Sequence, residues 1–127
     1  MGEILRPDEL DVLDTIKREP MEVWGGKTIW VWGLSFQQFM ALMGEAQRPD
    51  GEGRMRFDGE RYAICRVIEC ARDSGERDAK PLFSRDKHYD WLRGQDAGTI
   101  DAIVRRSMEL SGEAEGIMDP DPTTAGP

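Results

Sequence analysis

Apolar residues recur along this chain with two different periods, and the switches between them mark its elements. In residues 7–17, Leu10, Leu13 and Ile16 fall three apart behind Pro7, Asp8 and Glu9, which predicts a short, weakly docked helix that Pro20 stops. The pattern then turns β-rich. Met21, Val23 and Trp24 on one side and Ile29, Trp30, Val31 and Trp32 on the other flank Gly25-Gly26, the signal for a two-residue hairpin turn with positive φ. Such a loop pairs Trp24 with Lys27, Val23 with Thr28, Glu22 with Ile29 and Met21 with Trp30. One face then shows Met21, Val23, Trp30 and Trp32, and the other Trp24, Ile29 and Val31 beside Glu22 and Lys27. Both faces are apolar, so one is expected on the helices and the other against a partner chain or another part of the fold.

Helical spacing follows. Ser35 reads as an N-cap, Gln38 at N3 completes a capping box, and Leu34 faces Phe39 as a hydrophobic staple. Phe36, Phe39, Met40 and Met43 form the apolar stripe of that helix, which ends before Pro49. Residues 48–56 read as a polar loop. Asp58 caps a second helix with a stripe of Ile64, Val67, Ile68 and Ala71, ended by Ser74-Gly75. Leu82-Phe83 is a short apolar anchor, and Ser84 caps a short helix carrying Tyr89, Trp91 and Leu92 that Gly94 breaks. A last helix, opening near Asp96 or Thr99, carries Ile100, Ile103, Val104 and Met108 to Leu110, with Gly112 just beyond.

These elements predict a mainly α (α+β) domain of four or five helices with one N-terminal β-hairpin. The division is a short helix or arm over residues 1–20, the helical domain with its hairpin over 21–112, and a disordered acidic tail over 113–127, rich in Gly, Pro, Asp, Thr and Ala. The helices at 36–47, 62–73 and 100–110 are expected to share the core, with Leu82, Phe83 and Trp91 closing one side. Ile68→Asp is expected to unfold it, and Trp24→Ala to leave it folded and weaken association.

A length of 127 residues suits a single domain, and 39% hydrophobic with 33% charged residues is a soluble composition. Lys+Arg 17 against Asp+Glu 25 gives a net charge of −8, which argues against nucleic-acid binding, since that rests on neutralising phosphates. No apolar stretch approaches the ~20 residues of a membrane span. The first eight residues carry neither a secretory signal nor, with Arg6 in place of Ser or Thr, a myristoylation motif, so a cytoplasmic location is expected. Cys65 and Cys70 lie five apart on one helix, too far round and along it to bridge each other, and are expected as reduced, partly buried thiols.

Candidate chemistry is sparse. His88 beside Asp90 offers a general base without a nucleophile or acid in reach, and Cys65, Cys70 and His88 lack metal-ligand spacing. The acids Asp8, Glu9, Asp11 and Asp14 lack the glycine and ligand alternation of a calcium loop. Gly25-Gly26-Lys27-Thr28 resembles the end of a phosphate loop but lacks its upstream glycine and precedes a strand. Arg54, Arg56, Arg61, Arg66 and Arg72, set against Glu60, Glu69 and Asp73, read as a salt-bridged helix surface. The aromatic group Trp24, Trp30, Trp32, Phe36 and Phe39 exceeds what a small helical domain needs. Most of these side chains are expected in the core, with Trp24 and one hairpin face as interface anchors, while Met40, Met43 and Met108 suit adaptable packing or a tolerant binding surface.

The order of motifs resembles the tail assembly chaperones of long-tailed bacteriophages. It runs from the apolar-Glu-apolar-Trp-Gly-Gly-Lys-Thr hairpin through Leu34-Ser35, Tyr62-Ala63-Ile64-Cys65-Arg66-Val67-Ile68, Lys80-Pro81-Leu82-Phe83-Ser84 and Asp90-Trp91-Leu92 to Leu110-Ser111-Gly112, covering residues 22–112. The resemblance implies a non-enzymatic protein without cofactor or metal, acting in the host cell cytoplasm. Its partners would be the tape measure protein, which it keeps soluble, the tail tube protein, which it helps recruit, and further copies of itself, with neither nucleic acid nor membrane involved. From their apolar surplus, the client-binding candidates are Trp24, Ile29, Val31, Trp30, Trp32, Phe36, Met40 and Met43. The alternative is a structural virion component such as a small head-to-tail connector or tail completion protein.

Overall fold

The computed structural model describes residues 2–113; the tail beyond them, expected to be disordered, lies outside the described residues. Strands β1 (Arg18–Glu22) and β2 (Thr28–Trp32) form the hairpin, followed by α1 (Phe36–Glu45), a small ladder of β3 (Gln47–Pro49) and β4 (Met55–Phe57), and α2 (Gly59–Cys70). Then come β5 (Ala71–Arg72), α3 (Arg85–Arg93) and α4 (Ala97–Leu110). The main sheet is antiparallel in the order β1-β2-β5. Helix α2 is the hub, touching α1, α3, α4 and the sheet, while α4 runs along β2. The mainly α (α+β) expectation holds.

Local signals place most helix starts. Ser35 Oγ accepts from the Gln38 N–H and the Gln38 side chain accepts from the Ser35 N–H, closing the capping box. Asp58 and Asp96 cap α2 and α4 in the same way, accepting from the N–H groups of Arg61 and Thr99. α3 departs from expectation: Ser84 makes no side-chain cap, and His88 Nδ1 instead accepts the Ser84 N–H at 2.9 Å.

Four further expectations, about where elements lie and how they pair, are corrected. First, residues 7–17 are not one helix. Only Pro7–Val12 turns, as a 3₁₀-helix without a buried residue, because Leu10, Val12 and Leu13 find no surface to pack on and a short helix alone is marginal. Pro20 lies inside β1, at the sheet edge where a proline fits.

Second, the hairpin register slips by one. Gly25 and Gly26 do turn with φ of 63° and 73°. However, Val23 N–H donates to the Lys27 carbonyl while Lys27 N–H donates to that of Trp24, so two residues face one and the strand bulges. Met21 therefore pairs with Ile29, Pro20 with Trp30 and Arg18 with Trp32. A one-residue slip exchanges faces, so Met21 joins Ile29 and Val31 on the inner side.

Third, α2 stops at Cys70, since Ala71 and Arg72 leave the helix to pair with Val31 and Trp30 of β2. Gly75 is not a helix cap: a Cβ there would lie 2.5 Å from the Trp30 ring, so this glycine lets the loop lie on the indole. Fourth, residues 48–56 contain the β3–β4 ladder, its turn held by Asp50 Oδ1, which accepts from the Glu52 and Arg54 N–H groups.

The shared core contains Leu42 of α1 and Ala46 just beyond it, Ile64, Val67 and Ile68 of α2, and Ile100, Ile103 and Val104 of α4. Leu92 is fully buried and Phe83 half-buried on one side, whereas Leu82 and Trp91 stay partly exposed. Both cysteines are free and fully buried, and burial pushes the Cys70 thiol up to about 12. Arg66, expected on a salt-bridged surface, is fully buried instead and pairs with Glu113.

Candidate interaction surface

The sequence nominated eight side chains for partner contact, and the fold separates them. Ile29, Val31 and Trp32 are buried. The inner face of the hairpin, with Ile29 and Val31, belongs to the core. The outer face is covered by the chain itself: Trp32 Nε1–H donates to the Ser74 carbonyl at 3.0 Å, the Arg18 guanidinium sits 4.2 Å from the Trp32 ring and that of Arg72 5.1 Å, and Gly75 lies on Trp30. The second apolar face is thus met by another part of the fold.

Trp24 is half-buried at the hairpin tip, where its indole N–H donates to Asp96 Oδ1 at 2.9 Å and its ring meets Trp91 edge-on at 5.2 Å. Phe83 stacks on Trp91 at 6.2 Å. Trp24 therefore ties the hairpin to the start of α4, a structural contact beyond any surface role.

Phe36 and Met40 stand differently, 77% and 52% exposed one helical turn apart on α1. The inward side of α1 is carried by Leu42 and Ala46, with Phe39 and Met43 half-buried. The stripe read from the sequence is thus largely on the outer side, and a helix apolar on more than its core face has surface left for a partner. A second group went unrecognised: Ile4, Leu5, Leu10, Val12 and Leu13 are all exposed on the N-terminal arm, and Met55 on β4. Of these, only Leu10 and Leu13 belong to the three-residue spacing that predicts a docked helix.

The underside of α1 is fixed by charge. Arg85 donates to both Glu45 carboxylate oxygens at 2.6 and 2.7 Å and to Glu69 at 2.9 Å, and Arg61 reaches Glu45 at 3.3 Å, so α1, α2 and α3 share one network. The paired Arg85 guanidinium holds the Glu45 carboxyl below its ordinary value of 4.5. A depressed folded-state value contributes stability that is complete above the unfolded value and lost as pH falls through the folded one. Thermal midpoints should hold steady down to about pH 5 and drop below about pH 4.5, with a shallower drop in Glu45→Gln. Equal acid slopes in the two proteins would contradict this.

Other sites carry no comparable constellation. His88 Nδ1 is committed to the Ser84 N–H, and the Asp90 side chain is 95% exposed. Among the described residues, no cluster of three or more His, Cys, Asp or Glu is placed to hold a metal ion, and no helix is long and apolar enough to cross a membrane. The concavity beside α4, about 270 Å³, is lined by Arg105, Met108, Glu109 and Glu113 and is open to solvent.

No family model matches the chain, and no curated protein matches it by sequence. Among solved structures, it is similar to the tail assembly chaperone of bacteriophage HK97, with a TM-score of 0.53 at 14% identity, over 81% of this chain and 94% of that one. The two proteins share a fold.

Proposed function

We propose that this chain is a tail assembly chaperone of a long-tailed bacteriophage, acting in the host cytoplasm to bind the tape measure protein, keep it soluble and help recruit tail tube subunits. The observation that carries the reading is the fold shared with the bacteriophage HK97 chaperone across nearly the whole of that protein. The surface agrees with it. A chaperone for a long helical client needs apolar contact area that tolerates varied side chains, and Phe36 and Met40 present a flexible thioether and an aromatic ring on a helix braced from beneath. A net charge of −8 helps hold such a complex in solution.

In this reading Phe36 and Met40 touch the client and half-buried Met43 lines the edge of the contact. Ile29, Val31, Trp30 and Trp32 hold the sheet that α2 and α4 pack on, and Trp24 fixes its tip. Catalysis and cofactors play no part. The test is co-expression of the tape measure protein with wild type or with Phe36→Asp/Met40→Asp. Because both positions are exposed, the variant should keep the wild-type melting temperature and lose about tenfold or more in soluble client recovered. A variant that folds and solubilises the client as well as wild type would move the contact off α1. A wild-type chain that never solubilises the client would overturn the chaperone reading itself.

A further inference from the structure

We propose that Pro20 and Pro81 are specificity-determining residues that close both edges of the main sheet to strand addition. At the first edge, Lys17 accepts from the Gly33 N–H at 2.8 Å and Val23 donates to Lys27 at 2.7 Å, so odd-numbered residues of β1 turn their hydrogen-bonding groups toward β2. The intervening register is continuous, from Arg18 opposite Trp32 to Glu22 opposite Thr28. Arg18, Pro20 and Glu22 therefore turn theirs outward, where no further strand lies among the described residues.

The second edge repeats the arrangement. Residues 80–82 lie along β5 through the bridge of Pro81 with Arg72: Asp73 N–H donates to the Lys80 carbonyl at 3.0 Å, and Leu82 N–H to that of Ala71 at 3.1 Å. Lys80 and Leu82 thus face inward and Pro81 outward. At both edges the central outward position is the one residue type without an N–H to offer.

The first edge has a particular occupant to refuse. Two copies of β1 brought together antiparallel about a two-fold axis at Pro20 would set Arg18 opposite Glu22 of the second copy, a favourable charge pairing. They would also set Pro20 against Pro20, losing both central hydrogen bonds and bringing the rings together. With any other residue at position 20 that dimer gains a full ladder. An open edge strand in a chain with exposed apolar residues, such as Ile4, Leu5 and Val12 here, is at risk of such pairing. The inference does not depend on the chaperone reading. It leaves side-chain packing, as on the outer face of α1, as the way a partner can bind.

The test uses the full chain as wild type, Pro20→Val and Pro20→Val/Pro81→Val, read by sedimentation velocity and by amide exchange at Arg18 and Glu22. In wild type those two amides should exchange fast at every protein concentration. In the folded Pro20→Val variant, self-association should tighten about tenfold or more, with both amides becoming protected as it does. The second substitution should tighten it further. A folded Pro20→Val chain that associates no more than wild type overturns the proposal. So does concentration-dependent protection of Arg18 and Glu22 in wild type, a measurement that decides the matter even if the variants fail to fold.

Discussion

Truncating Glu113 to alanine should cost about 3 to 5 kcal/mol of unfolding free energy, although the residue lies at the very end of the described chain. The reason is Arg66, which α2 carries into the interior, where it has no exposed surface. All five of its N–H groups find acceptors. Nε–H donates to Ser107 Oγ at 3.0 Å, one Nη to Tyr62 Oη and Glu113 Oε1 at 2.9 Å each, and the other to Ser111 Oγ at 3.1 Å and to Glu113 Oε2. Burial opposes the charged guanidinium, yet the Glu113 carboxylate and the Tyr62 hydroxyl hold its pKa above the ordinary value.

The hydroxyls carry the network onward. Ser107 Oγ–H donates to the Trp32 carbonyl, and Ser111 Oγ accepts the Leu34 N–H at 2.7 Å, so α2, α4, β2 and the entry to α1 meet at one guanidinium. Removing Glu113 leaves a buried charge uncompensated, which costs far more than losing an exposed pair. Arg66→Met/Glu113→Ala should recover part of the loss, because the double variant removes the stranded charge as well as its partner. Urea unfolding of the three proteins checks this. A loss below about 1 kcal/mol in Glu113→Ala would mean the pair is screened by water as surface pairs are.

Ile68→Asp should be more severe still. Ile68 is 4% exposed in the helix that touches α1, α3, α4 and the sheet, and the substitution both removes its apolar contacts and takes a carboxylate out of water, beside an Arg85 already committed to Glu45 and Glu69 and an Arg72 that lies over Trp32. The expected cost of roughly 5 kcal/mol or more is comparable with the whole stability of a small domain, so circular dichroism should report an unfolded chain. Ile68→Val, which only trims a methyl group, should lose about 1 kcal/mol and stay folded. A cooperative melt in Ile68→Asp would place α2 nearer the surface than the fold allows.

What could be read from the sequence were the features set by near neighbours. The Ser35–Gln38 box, the Asp58 and Asp96 caps and the Gly25-Gly26 turn each involve residues within four positions, so composition and spacing expose them. The features that escaped are decided at a distance. The bulge at Val23 and Trp24 changes nothing in the apolar pattern yet exchanges the sheet faces beyond it. The end of α2 is set by the need of β2 for a second neighbour, and β3–β4 consists of three-residue strands with too few side chains to show a period.

The candidate site divides in the same way. Phe36 and Met40 follow from an apolar surplus on one stripe, but that this stripe faces outward while Leu42 faces inward depends on where α2 lies. Ile29 and Val31 belong to an apolar surplus that the core absorbs, and Trp30 and Trp32 to one that the loop over residues 73–75 covers. Arg66 looked like a surface charge because its partner is 47 residues away. The motif order that suggested the chaperone family was the distributed part of the signal, and the fold it implied is the one found.

The central claim is tested most directly by recovering this chain from cells that express it with its genomic neighbours, and by asking which proteins come with it and whether finished particles contain it. The account predicts a very long, helix-rich protein that is soluble only while this chain is present, and particles that lack the chain. A chain that stays in assembled particles and brings down no long helical client would contradict it and make the exposed face of α1 a permanent subunit contact of a connector or completion protein.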